Sequence, residues 1–237
     1  MINNNQTRRV FLQYAVAVGG ISAAALSVGC AQYIDAPKDV APMIIEEAEM
    51  TLRTFRSIPD LAVIDTMIPD AAGIIIFPRV VKGGMIAGVE AGTGVLLARN
   101  GSGWSYPAFY LLSAGSVGLQ LGLQESEIIM IIRNQEALNS LIEHQGKLGA
   151  EMGIMLGWNG IGYEGATTTS LGADIVAFAG PGFGAFGGVA LEGAALVRRN
   201  DLNDYYYETG AIPRTIVLNG QYSNPAADSL RSAINPN

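Results

Sequence analysis

Gly73-Ile-Ile-Ile-Phe-Pro-Arg-Val-Val-Lys-Gly-Gly-Met-Ile-Ala-Gly-Val-Glu-Ala-Gly-Thr-Gly-Val-Leu-Leu97 decides the fold class. Ile74 to Phe77 is a short apolar run stopped by Pro78. Gly83-Gly84 and Gly92-Thr-Gly94 then punctuate apolar stretches at intervals of about ten residues, the spacing of antiparallel strands and turns. Downstream, Asn100-Gly101 is a tight-turn dipeptide. Residues 127–133 make another apolar strand, through Ile128, Ile129, Met130, Ile131 and Ile132. Asn134 is placed to cap a helix over residues 135–145, with Leu138, Leu141 and Ile142 inward and Gly146 as its stop. Gly-rich strands continue to about Arg199. Asn224-Pro225 then opens a short helix carrying Leu230 and Ile234 on one face.

Upstream, Pro42 suits the first turn of a helix running to Ser57, with Ile44, Ala48, Leu52 and Phe55 on one face. A second short helix is expected over residues 60–67, with Asp60 as its N-cap. The fold expected is α+β: a curved, glycine-rich antiparallel sheet or half-barrel with a few flanking helices. Residues 73–100 and 173–200 align without gaps at 7 of 28 identical positions, against roughly two or three expected from so biased a composition. Either two similar strand–Gly–strand units share one sheet, or Gly-rich strands have converged on one pattern.

Composition narrows the function classes. Hydrophobic residues are 49% and charged residues 15% of the 237, which opposes disorder for the bulk of the chain. Thirty glycines oppose a helical bundle. One Cys and one His oppose an internal disulfide framework and a zinc site. A formal charge of −7 opposes nonspecific binding to nucleic acid.

The first 30 residues read as an export signal. Arg8 and Arg9 are their only charges, and twenty uncharged residues follow from Val10 to Gly29. Thr7-Arg8-Arg9-Val10-Phe11-Leu12-Gln13 resembles the twin-arginine motif, which serves substrates exported already folded. Cys30 stands where the signal ends and is the expected lipid attachment site. Ser27-x-Gly29 also fits ordinary signal cleavage. Residues 31–39 read as a tether and residues 40–237 as one domain. Loss of the leader takes the formal charge from −7 to −9, so bulk charge would not hold the domain to anionic lipid.

Few motifs offer chemistry. Gly160-Ile-Gly-Tyr-Glu-Gly165 and Gly182-Phe-Gly-Ala-Phe-Gly187 match a dinucleotide-binding pattern, but neither opens a helix that would aim amides at a pyrophosphate. Asp60, Asp65 and Asp70 gather on no single helical face. No constellation argues for an enzyme, a cofactor or a metal.

The 73–97 stretch resembles the signature of the SYLF domain family. Gly103-Trp-Ser-Tyr-Pro-Ala-Phe-Tyr110, Gly115-Ser-Val-Gly-Leu-Gln-Leu-Gly122, Ala173-Asp-Ile175 and Gly188-Val-Ala-Leu-Glu-Gly193 extend the resemblance in family order over about residues 40–210. It implies a non-enzymatic lipid-binding module, since members include phosphoinositide-binding and actin-bundling proteins. Actin is not expected as a partner of an exported bacterial member. The residues fit a lipid role: Arg79 and Lys82 are read as two cations in a Gly-bounded turn suited to a phosphate. Trp104, Tyr106, Phe109 and Tyr110 suit a membrane interface or an acyl pocket, or plain core packing. The expectation is a periplasmic, membrane-anchored protein that binds lipid or a membrane surface. A structural protein binding an envelope protein partner is the alternative.

Overall fold

The structure, a computed structural model, describes residues 37–84, 87–101, 103–117, 122–144, 148, 153–157, 174–180, 191 and 193–235. Arg8, Arg9, Cys30 and both G-x-G-x-x-G motifs lie outside the described residues.

Helix α1 spans Pro37–Ser57. Pro37 occupies its first position, where a missing N–H costs nothing. The helix therefore starts five residues before Pro42, inside the stretch read as a tether, and Pro42 sits in its interior on the exposed side. Ala41, Ile44, Ile45, Ala48, Leu52 and Phe55 recur every three or four residues and are all buried. The segment from Ile58 to Val63 is a run of turns, so the second helix α2, Ile64–Met67, begins later than Asp60; a 3-10 turn, Ile68–Asp70, follows it.

Among the described residues eight strands follow: β1 Gly73–Gly84, β2 Ala87–Asn100, β3 Gly103–Trp104, β4 Ala108–Val117, β5 Gly122–Ile132, β6 Ile154–Gly157, β7 Ile175–Ala179 and β8 Ala195–Arg198. Seven form an open α+β-type sheet in the order β6-β7-β5-β1-β2-β4-β8, and β3 pairs with β2 alone. Every pairing is antiparallel except β6 with β7. Helix α3, Gln135–His144, is capped as its sequence implies, with Asn134 Oδ1 accepting from the Ala137 amide at 2.7 Å. Helix α4, Asn200–Tyr206, lies in a stretch for which no helix is expected from sequence. A π-turn, Arg214–Leu218, and a 3-10 turn, Pro225–Ala227, lead to α5, Asp228–Ile234. Asn224 accepts from the Ala226 amide there, and Leu230 and Ile234 are buried as expected. Among the described residues no helix is long and apolar enough to cross a membrane.

The sheet is covered on both faces. Ile74, Ile76, Val95, Leu97, Phe109, Ile129 and Ile131 pack with α1, α2, α4 and α5. Ile75, Phe77, Leu96, Tyr110, Leu112, Ile128 and Met130 pack with α3 and the π-turn. Side chains alternate between the faces, so a strand apolar at every position is one buried on both sides.

Two expectations are corrected by the sheet. Gly92 and Gly94 end no strand; β2 runs through them. They face a bulge in β1. Ile76 pairs with Val95 and Val81 with Ala91, so β1 carries one residue more than β2 over that interval; it does so against β5 as well. Pro78, with no N–H to give a ladder, lies in that bulge. A Cβ on Gly92 would stand 2.4 Å from the Arg79 carbonyl oxygen, and one on Gly94 2.3 Å from that of Ile76. Glycine is required there by close backbone approach, not by a turn. The repeated segments are also not equivalent units. The first holds the β1–β2 hairpin, whereas in the second β7 pairs with β5 and β8 with β4 on opposite flanks.

Candidate functional site

Arg79 and Lys82 lie within β1, not in a turn, because the strand continues to Gly84 before the hairpin reverses. The bulge and the alternation then separate them. Arg79 points to the α1 layer, where its Nη2 donates to Glu47 Oε1 at 3.0 Å. Lys82 shares the face of Val80 and meets its cross-strand partner Glu90, with Nζ 2.6 Å from Oε1. Glu90 is 1% exposed, and neither of its oxygens has a hydrogen bond of normal geometry, so the contact is an ion pair. Sequence reading missed Glu90. The signal was present: from Gly83 to Ala98 it is the one charged residue, and an antiparallel hairpin brings it back beside Lys82.

Among the residues whose side chains are described, the buried clusters reach Val80 on β1, Val95 on β2, Ala114 on β4 and Ile128 on β5, and Glu90, across from Ala114, is buried as well. Beyond lie Lys82, Gly83 and Gly84 opposite Glu90, Val89 and Gly88. Val89 is 63% exposed. Gly115, paired with Val89, has nothing within 4 Å of where a Cβ would stand.

The four aromatic candidates do not form one surface. Trp104 is buried and donates its indole N–H to Asn235 Oδ1 at 3.2 Å, while Arg99 lies 4.2 Å over its ring. Arg231 stacks 3.9 Å from the Tyr106 ring centroid and donates to the Trp104 carbonyl from Nε and Nη2. The Tyr106 hydroxyl donates to Asp228 Oδ1 at 2.9 Å; desolvation and that carboxylate raise its pKa. Trp104 and Tyr106 thus seat α5 on the sheet. Arg56 completes the seat from α1, pairing with Asp65 and donating to the carbonyls of Ala233 and Ile234 at the end of α5. The Ser229 hydroxyl, with Arg53 beside it, holds the Glu49 carboxyl below its ordinary range against the effect of burial.

Phe109 and Tyr110 are fully buried on opposite faces. Phe109 meets the Tyr206 ring edge-on at 5.3 Å, and its backbone is clamped by Asn203, whose Oδ1 accepts from the Phe109 amide at 2.9 Å. Tyr110 lies under the other layer with its hydroxyl beside the Arg198 guanidinium but in no hydrogen bond of normal geometry; burial pushes its pKa up, and Arg198 opposes by charge and by hydrogen bonding. Among the described residues no three His, Cys, Asp or Glu side chains gather as a metal site.

Residues 113–236 match the family described as "Ysc84: Las17-binding protein actin regulator". That is over half of the chain. It belongs to the Ysc84 family, the group that the SYLF resemblance indicated. The Saccharomyces cerevisiae protein named "Protein YSC84" is 29% identical over 193 residues, 78% of this chain and 41% of that protein. "LAS seventeen-binding protein 3" of the same yeast is 29% identical over 154 residues, 64% of this chain and 34% of its own length. "SH3 domain-containing YSC84-like protein 1" of Xenopus laevis is 26% identical over 179 residues, 75% of this chain and 53% of its own length. The chain spans about a third to half of the length of these relatives. The family's description speaks of binding and regulation, and one of these relatives is named for binding.

Proposed function

We propose that the protein is a non-catalytic binding module, exported and held at the bacterial cell envelope through Cys30, that binds lipid at the hairpin end of β1 and β2. The observation carrying this reading is the 63% exposure of Val89 near the hairpin end of β2, on the face opposite the Lys82–Glu90 pair. An exposed aliphatic residue on a glycine-rich strand end suits the acyl boundary of a bilayer, and a lysine on the neighbouring strand can keep its ammonium among the phosphates. The net negative charge confines any such attraction to local cations. Lys82 is the cation that this reading retains, since Arg79 faces α1.

A protein partner is the second reading. It is favoured by the family description and by the LAS seventeen-binding relative, both named for a protein target. Vesicle flotation separates the two. The chain carrying Cys30→Ala lacks the acyl anchor and is expected to float with vesicles. Val89→Asp is expected to abolish flotation without lowering the thermal midpoint. Flotation unaffected by Val89→Asp would remove the hairpin end from the site, and a parent that never floats would favour the protein partner.

A further inference from the structure

Glu90 is a buried carboxylate whose surroundings give it no structural purpose. It is 1% exposed on a central strand, its contact is one ammonium, and its oxygens accept no hydrogen bond of normal geometry. An ionised carboxylate offers about four acceptor positions. Burying one with most of them empty is costly, and an apolar pair in its place is often as stable or more so. A native group left so poorly satisfied calls for an explanation.

Among the described residues the local geometry supplies no protein donor but Lys82. Across the strands Glu90 pairs with Lys82 on one side and with Ala114 on the other. Two residues along its own strand is Gly92, where any Cβ would strike the Arg79 carbonyl. The floor beside the carboxylate is thus kept bare by the bulge in β1. Lys82 carries three N–H donors and is shown against one partner; its side chain is 21% exposed, so the pair opens to solvent on the lysine side. The result is one positive and one negative group on neighbouring strands, each with unspent hydrogen-bonding capacity.

We propose that Lys82 and Glu90 receive a zwitterionic headgroup of the phosphoethanolamine class, with Lys82 on the phosphate and Glu90 on the primary ammonium. This rests on the lipid reading above. A lone anion at Lys82 is repelled by Glu90, and a lone cation at Glu90 is repelled by Lys82. A zwitterion satisfies both charges at once, and discrimination arises as much from those repulsions as from the contacts. A primary ammonium has N–H groups to give the carboxylate. The quaternary ammonium of choline has none. A phosphoglycerol headgroup has hydroxyls but brings no positive charge.

The test is flotation of the full chain carrying Cys30→Ala with vesicles of phosphatidylcholine alone, or of phosphatidylcholine mixed with phosphatidylethanolamine or with phosphatidylglycerol. Binding at least tenfold stronger to the phosphatidylethanolamine vesicles is expected, and Glu90→Gln, which keeps the shape, is expected to erase that preference. The wild-type comparison decides the matter even if the variant folds poorly. Equal binding to all three compositions would overturn the headgroup assignment and leave lipid binding standing. Binding to no vesicle would overturn both, unless soluble glycerophosphoethanolamine raises the thermal midpoint and glycerophosphocholine does not. That outcome would assign the receptor to a free ester instead of a membrane.

Discussion

From Ile74 to Phe77 β1 is buried on both sides, and its neighbours over that span are equally apolar. From Val81 to Gly84 the same strand carries a lysine and two glycines, and its described side chains are partly exposed. The bulge at Pro78 marks the change, and β2 meets it with glycines at 92 and 94. The two halves share one hydrogen-bonded ladder but draw on different sources of stability. The inner half is held by apolar burial, worth about 25 cal/mol for each Å² removed from water. In the outer half the described contacts are the ladder itself and the Lys82–Glu90 ion pair. A strand can thus be rooted in a core at one end and present a binding surface at the other, because rigidity is inherited along the pairing.

This comparison breaks if the two halves respond alike to substitution. Phe77→Ala, in the inner half, is expected to cost about 3–5 kcal/mol, whereas Val89→Ala in the outer half should shift stability by no more than about 0.5 kcal/mol. Urea midpoints of the two variants measure the contrast, and similar losses would show that the hairpin end is packed after all. Gly94→Ala tests the boundary. Its Cβ would press on a backbone oxygen and the Phe77 ring, for which about 3 kcal/mol is expected. Gly115→Ala, on a strand position with open space, should cost less than about 1 kcal/mol.

The ion pair sharpens the contrast further. Lys82→Met leaves a buried carboxylate alone and is expected to cost about 2 kcal/mol, less than a fully buried pair would because the lysine is partly exposed. Lys82→Met with Glu90→Leu together should recover most of that loss. A double variant no more stable than the single one would mean that the pair is needed by the fold, and chemical denaturation of both reports it.

How much of this was legible in the sequence follows the same division. Periodic apolar positions with a chemical stop announced α1, α3 and α5, since Asn134 and Asn224 cap in place. The β1–β2 hairpin was legible from Gly83-Gly84. Gly92 and Gly94 misled because a glycine that relieves close backbone approach looks, in sequence, like one that makes a turn. Arg79 and Lys82 seemed to share a site because three residues apart in a turn is close. In a strand, positions three apart fall on opposite faces, so Arg79 and Lys82 reach different layers. Helix α4 was hidden because its anchor, Asn203, works through the backbone of Phe109, more than ninety residues away in sequence.

The smallest expected effect lies in the aromatic layers and changes with pH. Tyr110 and Tyr206 are buried on opposite faces; neither hydroxyl makes a hydrogen bond of normal geometry, though Tyr110 has Arg198 beside it. Removing a buried hydroxyl that makes no hydrogen bond leaves no orphan behind, so Tyr110→Phe and Tyr206→Phe should each change stability at pH 7 by under about 0.5 kcal/mol. Alkali separates them from the parent. Burial, with Asp228 and Tyr106 adding to it, pushes the Tyr206 phenol up to about 12, and burial also holds Tyr110 well above its ordinary range. In the unfolded chain both ionise near 10. Between these values the folded protein keeps protons that the unfolded chain has released, so stability is fully present below pH 10 and falls as pH rises towards the folded values. One such group contributes a slope of about 1.4 kcal/mol per pH unit. Urea midpoints at pH 7 and 10.5, with phenolate absorbance followed in parallel, should show each Phe variant losing less than the parent on going to the higher pH. A Tyr110→Phe variant more than about 1 kcal/mol less stable at pH 7 would instead mean that its hydroxyl is partnered, and the face beneath α3 would then be a polar layer rather than the apolar counterpart of the α1 side.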